Sequence, residues 1–213
     1  MGRVGLVLGS ARVEVGADAD LEVVRRHGEP YVLPHEIDHA ANLGSLADAG
    51  CERVLALSSV GGLRPDLGPG SLVCPDDFIA LDAPPLTTRS DTGAHRVPSF
   101  DGGWRREVLA AFRDARVEVH DGGVYWQATG PRLETPAEVR FAAAHADVIG
   151  MTVASECVVA GEMGLRYAAI CAVDNLANGI AGHELTLEEI EAHRERNRVE
   201  LEAALRGVLA RLA

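Results

Sequence analysis

Residues 123–151 read GVYWQATGPRLETPAEVRFAAAHADVIGM, and the order of signals within them decides the fold. Val124, Trp126 and Ala128 alternate with Tyr125 and Gln127, which predicts a strand. Gly130-Pro131 ends it, because proline lacks an amide donor and excludes helix from the residue before it. Thr135, Pro136 and Glu138 then have the spacing of an N-cap, a first helical position and a capping box, so a helix starts here. Asp147 to Gly150 forms a second, buried strand ending at Met151-Thr152. Strand, turn, helix and strand within thirty residues predict an α/β chain. Glu134 stands just outside the helix start, at a strand-to-helix crossing where ligands meet such sheets. The plainer reading of a carboxylate there is a solvated one.

Outward from this stretch, 213 residues with 47% apolar content fit one domain, 1–213, with a sizeable core. A formal net charge of −12 argues against nucleic acid as a partner and against an anionic membrane face, so a bound anion needs a local positive pocket. No run has the length of a spanning helix, and MGRVGLVLGS lacks a signal peptide's apolar region and cleavage site, so a cytoplasmic location is expected. Cys51, Cys74, Cys157 and Cys171 are scattered without paired spacing, as buried free thiols would be.

Val4 to Leu8 reads as a buried first strand whose end, Gly9-Ser10, turns amides and a hydroxyl toward a phosphate; GxGxxG is absent. Residues 11–24 read as a short acidic segment before the basic cluster Arg25-Arg26-His27-Gly28. His35-Glu36-Ile37-Asp38-His39 matches HExxH, but Pro34 sets His35 at a helix start, Asp38 is charged where an apolar residue is expected, and no further ligand has suitable spacing. Zinc is therefore the weaker reading, and the helix should run on to Gly50. Val54 to Ser59 predicts a strand opening into the turn Ser58-Ser59-Val60-Gly61-Gly62, and LGPGSLVCPDDFI returns as another. Residues 82–103 read as a long loop over the site, and Trp104–Ala115 and Ser155–Gly164 as helices. Arg166–Val173 is a strand ending in a loop at Asp174-Asn175. Thr186 and Glu189 form a second capping box, opening a helix with Ile190, Leu201, Leu205, Val208 and Leu212 on one face. His193 and Asn197 beside that stripe read as satisfied structural polar residues. The fold class is α/β, with a mostly parallel mixed central sheet covered on both sides.

VVRRHG, LPHEIDHAANLGSLADAGCERVLALSSVGGLRPDLGPGSLVCPDDFI, GPRLETPAE, ADVIGMT and SECVVAGEMGLRYAAICAV occur in an order that resembles the trimeric purine nucleoside phosphorylases and the related methylthioadenosine phosphorylases, over most of the chain. The site pattern is most similar to the 6-oxopurine (S-methyl-5′-thioinosine) phosphorylases. The resemblance implies a nucleoside phosphorylase fold, a homotrimer with sites near subunit contacts, and attack of inorganic phosphate on the anomeric carbon of a purine nucleoside. Phosphate is then a co-substrate, and no cofactor or metal is implied. Ser10, Arg26, His27, Ser58, Ser59 and Thr152 become the phosphate shell. Glu134 and Asn175 clamp the purine, Met151 meets the ribose, and Asn175, Glu134 and His27 are the catalytic candidates. The family's glycine-rich first loop is replaced here by Ser10-Ala11-Arg12. Leu187 falls where ordinary nucleoside phosphorylases place a histidine for the 5′-hydroxyl, which favours a 5′-methylthio group; with Leu187 merely packing the helix, His183 or His193 would reach the hydroxyl instead. A one-residue slip would put Asp174 in the clamp. Methylthioadenosine phosphorolysis, a hydrolytic nucleosidase and, remotely, a zinc peptidase on the His35–His39 pentad are the alternatives.

Overall fold

The computed structural model describes residues 2–10, 13–16, 21–81, 84–181 and 186–212, without the side chains of Leu187 and Glu189. In chain order the strands are β1 (Arg3–Leu8), β2 (Leu21–Arg25), β3 (Cys51–Gly62), β4 (Leu72–Cys74), β5 (Asp77–Ile79), β6 (His120–Asp121), β7 (Val124–Gln127), β8 (Val148–Gly150) and β9 (Arg166–Leu176). The helices are α1 (His39–Asp48), α2 (Gly102–Asp114), α3 (Pro136–Ala143), α4 (Val153–Glu162) and α5 (Leu187–Leu212).

The sheet is mixed and mostly parallel, as expected: among the described residues, only the pairings of β3 with β8 and of β4 with β9 are antiparallel. β3 and β9 form its spine, in parallel register from Arg53 opposite Arg166 to Gly62 opposite Leu176. Apolar residues on β1 and β3 alternate between the two faces, as strand geometry requires. Val7, Val54 and Ala56 point toward α1 and α4, packing with Leu43, Leu46 and Cys157. Leu6, Leu8, Leu55 and Leu57 point toward α2 and α5, packing with Trp104, Phe112, Leu201 and Leu205. Trp104 is fully buried, and its indole donates to the Val54 carbonyl at 2.8 Å, which satisfies the one polar atom that side chain carries into the core. All four cysteines are free and buried.

One edge of β3 is divided. β1 runs along it only as far as Leu8 opposite Leu57, with a last bond from the Gly9 amide to the Leu57 carbonyl. β8 approaches along the same edge from the other direction and pairs at Gly61 and Gly62. Ser58, Ser59 and Val60 lie in the gap between two strands that end facing each other. The central stretch folds as its sequence predicts: Thr135 accepts from the Glu138 amide, and the Glu138 carboxylate accepts from the Thr135 amide, at the start of α3.

Several expectations are corrected. The segment before Arg26 contains the strand β2, which continues the sheet beyond β1; its short edge pattern is hidden by flanking acidic residues. Ser58 to Gly62 is strand, not turn, because β9 pairs it along its other edge; Gly62 is tolerated, and required, because a side chain would strike the Leu67 carbonyl. Asp174 and Asn175 likewise belong to β9 rather than to a following loop. The HExxH pentad is not one helix: Pro34–Glu36 is a single 3-10 turn, and α1 starts at His39 with Asp38 capping the Ala41 amide. Residues 84–101 do not cover the site. They strap the end of α4, with Thr87 and Thr88 bonded to Glu162 and Arg96 to the Gly161 carbonyl. The expected capping box of α5 involves Glu189, whose side chain lies outside the described residues; the backbone bond from Ile190 to Thr186 is present.

Removing the α3 cap should be measurable. Thr135→Ala is expected to lower the unfolding free energy by about 1 kcal/mol, read as a shift in urea midpoint at fixed protein concentration.

Candidate active site

The gap in β3 opens into a cavity of about 280 Å³. It gathers residues from the ends of five strands: Ser10 after β1, Arg26 and His27 after β2, Ser58 to Gly61 on β3, Gly150 to Thr152 at the end of β8, and Asp174 and Asn175 on β9. Glu134, from the turn before α3, completes it. All sequence-predicted site residues therefore meet in one cavity except Leu187, whose side chain lies outside the described residues. Ile190, further along α5, lines the cavity. His183 also lies outside the described residues.

Ser10, Tyr31 and Arg194 border an outer groove as well, whereas Glu134 and Ile149 border a different one, which sets Ser10 and Glu134 on different walls. Near Ser10, Arg26 is buried and bound side-on to Glu156, Nε to Oε1 at 2.5 Å and Nη2 to Oε2 at 2.9 Å. Its Nη1 donates to the Leu57 carbonyl at 3.0 Å. A guanidinium has five N–H donors, so one remains on each terminal nitrogen for a ligand. Glu156 also accepts from the Tyr167 hydroxyl at 2.6 Å. Burial alone would raise the Glu156 carboxyl, but the charge and hydrogen bonds of Arg26, with help from Tyr167, hold it below the usual glutamate range.

His27 stacks on Tyr31, ring centroids 4.3 Å apart, and its Nδ1 lies 2.9 Å from the Val32 carbonyl. A carbonyl only accepts, so Nδ1 carries the proton. Burial lowers the pKa, which leaves the ring neutral near pH 7 with Nε2 as an acceptor. The Ser59 hydroxyl is buried without a partner. Thr152 leads into α4 yet makes no side-chain capping bond, so its hydroxyl is not committed to the helix.

At the other wall, Glu134 Oε1 is buried with no partner, and burial raises its pKa. The Glu134 carbonyl is fixed by the Asn178 amide at 2.9 Å. Asn175 bonds only the neighbouring Leu176 carbonyl, at 3.0 Å. Asp174 instead serves α5: Oδ1 accepts from Asn197 at 2.7 Å, Oδ2 faces Arg194 Nε at 3.4 Å, and its carbonyl holds His193 Nδ1 at 2.8 Å. Those contacts account for His193 and Asn197 as structural polar residues.

Sequence reasoning missed Tyr31, Glu156, Asn178 and Arg194. Glu156 had a signal, since the one charged residue within VASECVVAG, a stretch that is otherwise small or apolar, demands a partner once buried. Among the described residues, no group of three or more His, Cys, Asp or Glu is arranged to hold a metal ion.

Fold and site together define an α/β enzyme acting on small molecules. The chain belongs to the phosphorylase superfamily, whose family model matches residues 11–210. A probable 6-oxopurine nucleoside phosphorylase from Archaeoglobus fulgidus is 39% identical over 193 residues, covering 88% of this chain and 79% of that one. A probable S-methyl-5′-thioinosine phosphorylase from Xanthomonas campestris pv. campestris is 36% identical over 197 residues, 88% of this chain and 75% of its own. The methylthioadenosine phosphorylase of Schistosoma mansoni, solved in complex with adenine, superposes with a TM-score of 0.84 at 21% identity, over 99% of this chain and 91% of that one. It shares the fold.

Breaking the pair beneath the cavity should be costly. Glu156→Ala leaves Arg26 buried and unpaired, so a loss of about 3–5 kcal/mol in unfolding free energy is expected. A carboxyl whose folded pKa is depressed contributes stability above its unfolded value and loses it as pH falls through the folded one. The difference between wild type and variant in urea titrations should therefore be full at neutral pH and shrink in acid.

Proposed function

We propose that this cavity catalyses phosphate-dependent cleavage of 6-oxopurine nucleosides, with 5′-methylthioinosine the favoured substrate and inosine and guanosine weaker ones. The observation that carries the reading is the buried, unpartnered Glu134 Oε1. A buried carboxylate oxygen without a donor calls for one from a ligand, and a 6-oxopurine supplies it at N1–H; adenine has no hydrogen there. The Asn175 amide then has a donor for O6 or N7 as charge accumulates on the departing base. Two similar relatives, by name a probable 6-oxopurine nucleoside phosphorylase and a probable S-methyl-5′-thioinosine phosphorylase, support this choice. The methylthioadenosine alternative draws on solved structures near 21% identity.

In the reaction, a phosphate oxygen forms a bond to the anomeric carbon as the bond from that carbon to N9 breaks. The products are pentose 1-phosphate and a purine that takes up a proton. Positive charge develops on the sugar and negative charge on the base, so catalysis is mainly positioning and electrostatics. The Arg26 edge and the hydroxyls of Ser10, Ser58, Ser59 and Thr152 are the donors for phosphate oxygens. Neutral His27, its Nδ1 fixed on Val32, accepts the hydrogen of a monoprotonated phosphate at Nε2 and so orients it. Met151 packs against the ribose. Leu187, at the start of α5, shelters the methylthio group, supported by Ile190 lining the cavity one turn away.

The same reading takes residues 1–213 as one domain acting as a cytoplasmic homotrimer, with the nucleoside and phosphate as its partners and no cofactor. Leu81, Leu86 and Val97 are exposed by 67–88% in and beside the strap over α4 and offer apolar surface for subunit contact. Among the described residues, no helix is long and apolar enough to cross a membrane.

The reading is tested by base release from methylthioinosine, inosine, guanosine, adenosine and methylthioadenosine with and without phosphate. Release should require phosphate, kcat/KM should be highest for methylthioinosine, and Leu187→His should narrow its lead over inosine. Faster inosine turnover by the wild type would refute the 5′ assignment, and release without phosphate would refute phosphorolysis itself.

Glu134 adds a pH signature. It is a charged, and so stronger, acceptor for N1–H only when ionised, so kcat/KM for inosine should fall as pH drops through its raised pKa. Glu134→Gln keeps a neutral acceptor but removes the charge, so it should abolish that limb and lower kcat/KM about tenfold, the scale of the difference between a charged and a neutral buried hydrogen bond.

A further inference from the structure

Among the described residues, the cavity is lined by two cationic side chains, Arg26 and Arg194. Arg26 is neutralised by Glu156 at 2.5 Å. His27 is neutral, and Glu134 and Asp174 add negative charge to the walls. A phosphate dianion entering this cavity therefore meets hydrogen-bond donors but no uncompensated positive charge from Arg26. Arg194 differs. Its Nε reaches Asp174 at a long 3.4 Å, its side chain is about one-third exposed, and among the described residues its two terminal nitrogens have no hydrogen bond. It also stands on the wall shared by the cavity and the outer groove beside Ser10 and Tyr31.

We infer that Arg194 is the second cation of the phosphate site: Asp174 steers it through Nε, and its four remaining N–H groups close on the bound oxyanion from the α5 side. This rests on the phosphorolysis reading and adds a binding residue to it. The packing around Asp174 explains why a helix can deliver this group. His193, Arg194 and Asn197 converge from one stretch of α5 on residue 174, so the helix is pinned at the place where the guanidinium must point. A guanidinium keeping one N–H on a carboxylate while the fork binds an oxyanion uses the donor geometry that separates arginine from lysine.

The test is steady-state kinetics with varied phosphate at saturating nucleoside, and the reverse. Arg194→Ala should raise the phosphate KM at least about tenfold, as loss of charge-assisted hydrogen bonds to an ion does, with the nucleoside KM held within about twofold. Arg194→Lys should restore part of the loss. An unchanged phosphate KM, or phosphate and nucleoside KM rising together, overturns the assignment. Should the alanine variant not fold, Arg194→Gln and calorimetric titration with inorganic phosphate give the same comparison. Wild-type base release independent of phosphate would instead remove the phosphorolysis reading. Phosphate dependence retained with an unmoved KM in Arg194→Ala would sink only the role of Arg194.

Discussion

The buried pair of Arg26 and Glu156 is the interaction on which the site depends. It joins the end of β2 to the first turns of α4, residues 130 positions apart, and it sits under the cavity with almost no access to water. Taking both charges out of water is expensive, and the attraction repays that only when geometry is good and the remaining donors and acceptors are met. Here both conditions hold: the contact is two-pronged, Tyr167 serves the carboxylate, and the Leu57 carbonyl serves the guanidinium. The consequence is orientation rather than net charge. Arg26 is locked at the border of the cavity with its charge balanced by Glu156, so attraction for an anion needs a further source.

The second constraint is topological. β1 and β8 approach along one edge of β3 from opposite directions and stop short of each other. Strand alternation turns the Ser59 amide to the same edge as the Leu57 carbonyl, which still bonds Gly9. A regular sheet would have covered Ser58 to Val60 with a neighbouring strand. The gap leaves backbone and hydroxyl donors uncovered at the carboxyl ends of β1 and β8, where an α/β sheet receives its ligand. The enzyme's binding surface is thus an interruption in pairing, and the packed faces on either side keep it rigid.

How much of this was legible in the chain follows from the range of each interaction. The α3 cap was fully legible because Thr135 and Glu138 meet within one turn. The start of α1 was legible too, though misread: Asp38 is a strong N-cap residue, and the HExxH match drew attention from it. Ser58 to Gly62 looked like a turn because serine and glycine favour turns, yet pairing with β9 at long sequence separation overrode propensity. β2 was hidden for the same reason, since an edge strand of five residues draws its stability from β1. The family resemblance placed the site residues in order, but the Arg26–Glu156 contact and the reach of Arg194 depend on packing that no local pattern encodes.

The wall formed by Gly61, Asp174 and Asn175 shows how finely packing can divide the duties of neighbouring residues. Val60 pairs with Val173, but Gly61 pairs with Asn175, so Asp174 is an extra residue in β9. Such a bulge breaks the alternation that would send neighbouring residues to opposite faces, and it re-aims side chains near active sites. Asp174 and Asn175 consequently both border the cavity, with different duties. The carboxylate of Asp174 is turned to Asn197 and Arg194 on α5, while the amide of Asn175 lies beside Gly61 and bonds only the next carbonyl. An added Cβ at position 61 would press on Ile149 at 3.2 Å and reach ordinary contact, 3.5 Å, with that amide nitrogen. The bulge thereby separates two roles one residue apart: an amide left with a free donor at the cavity, and a carboxylate turned to the helix that carries Arg194.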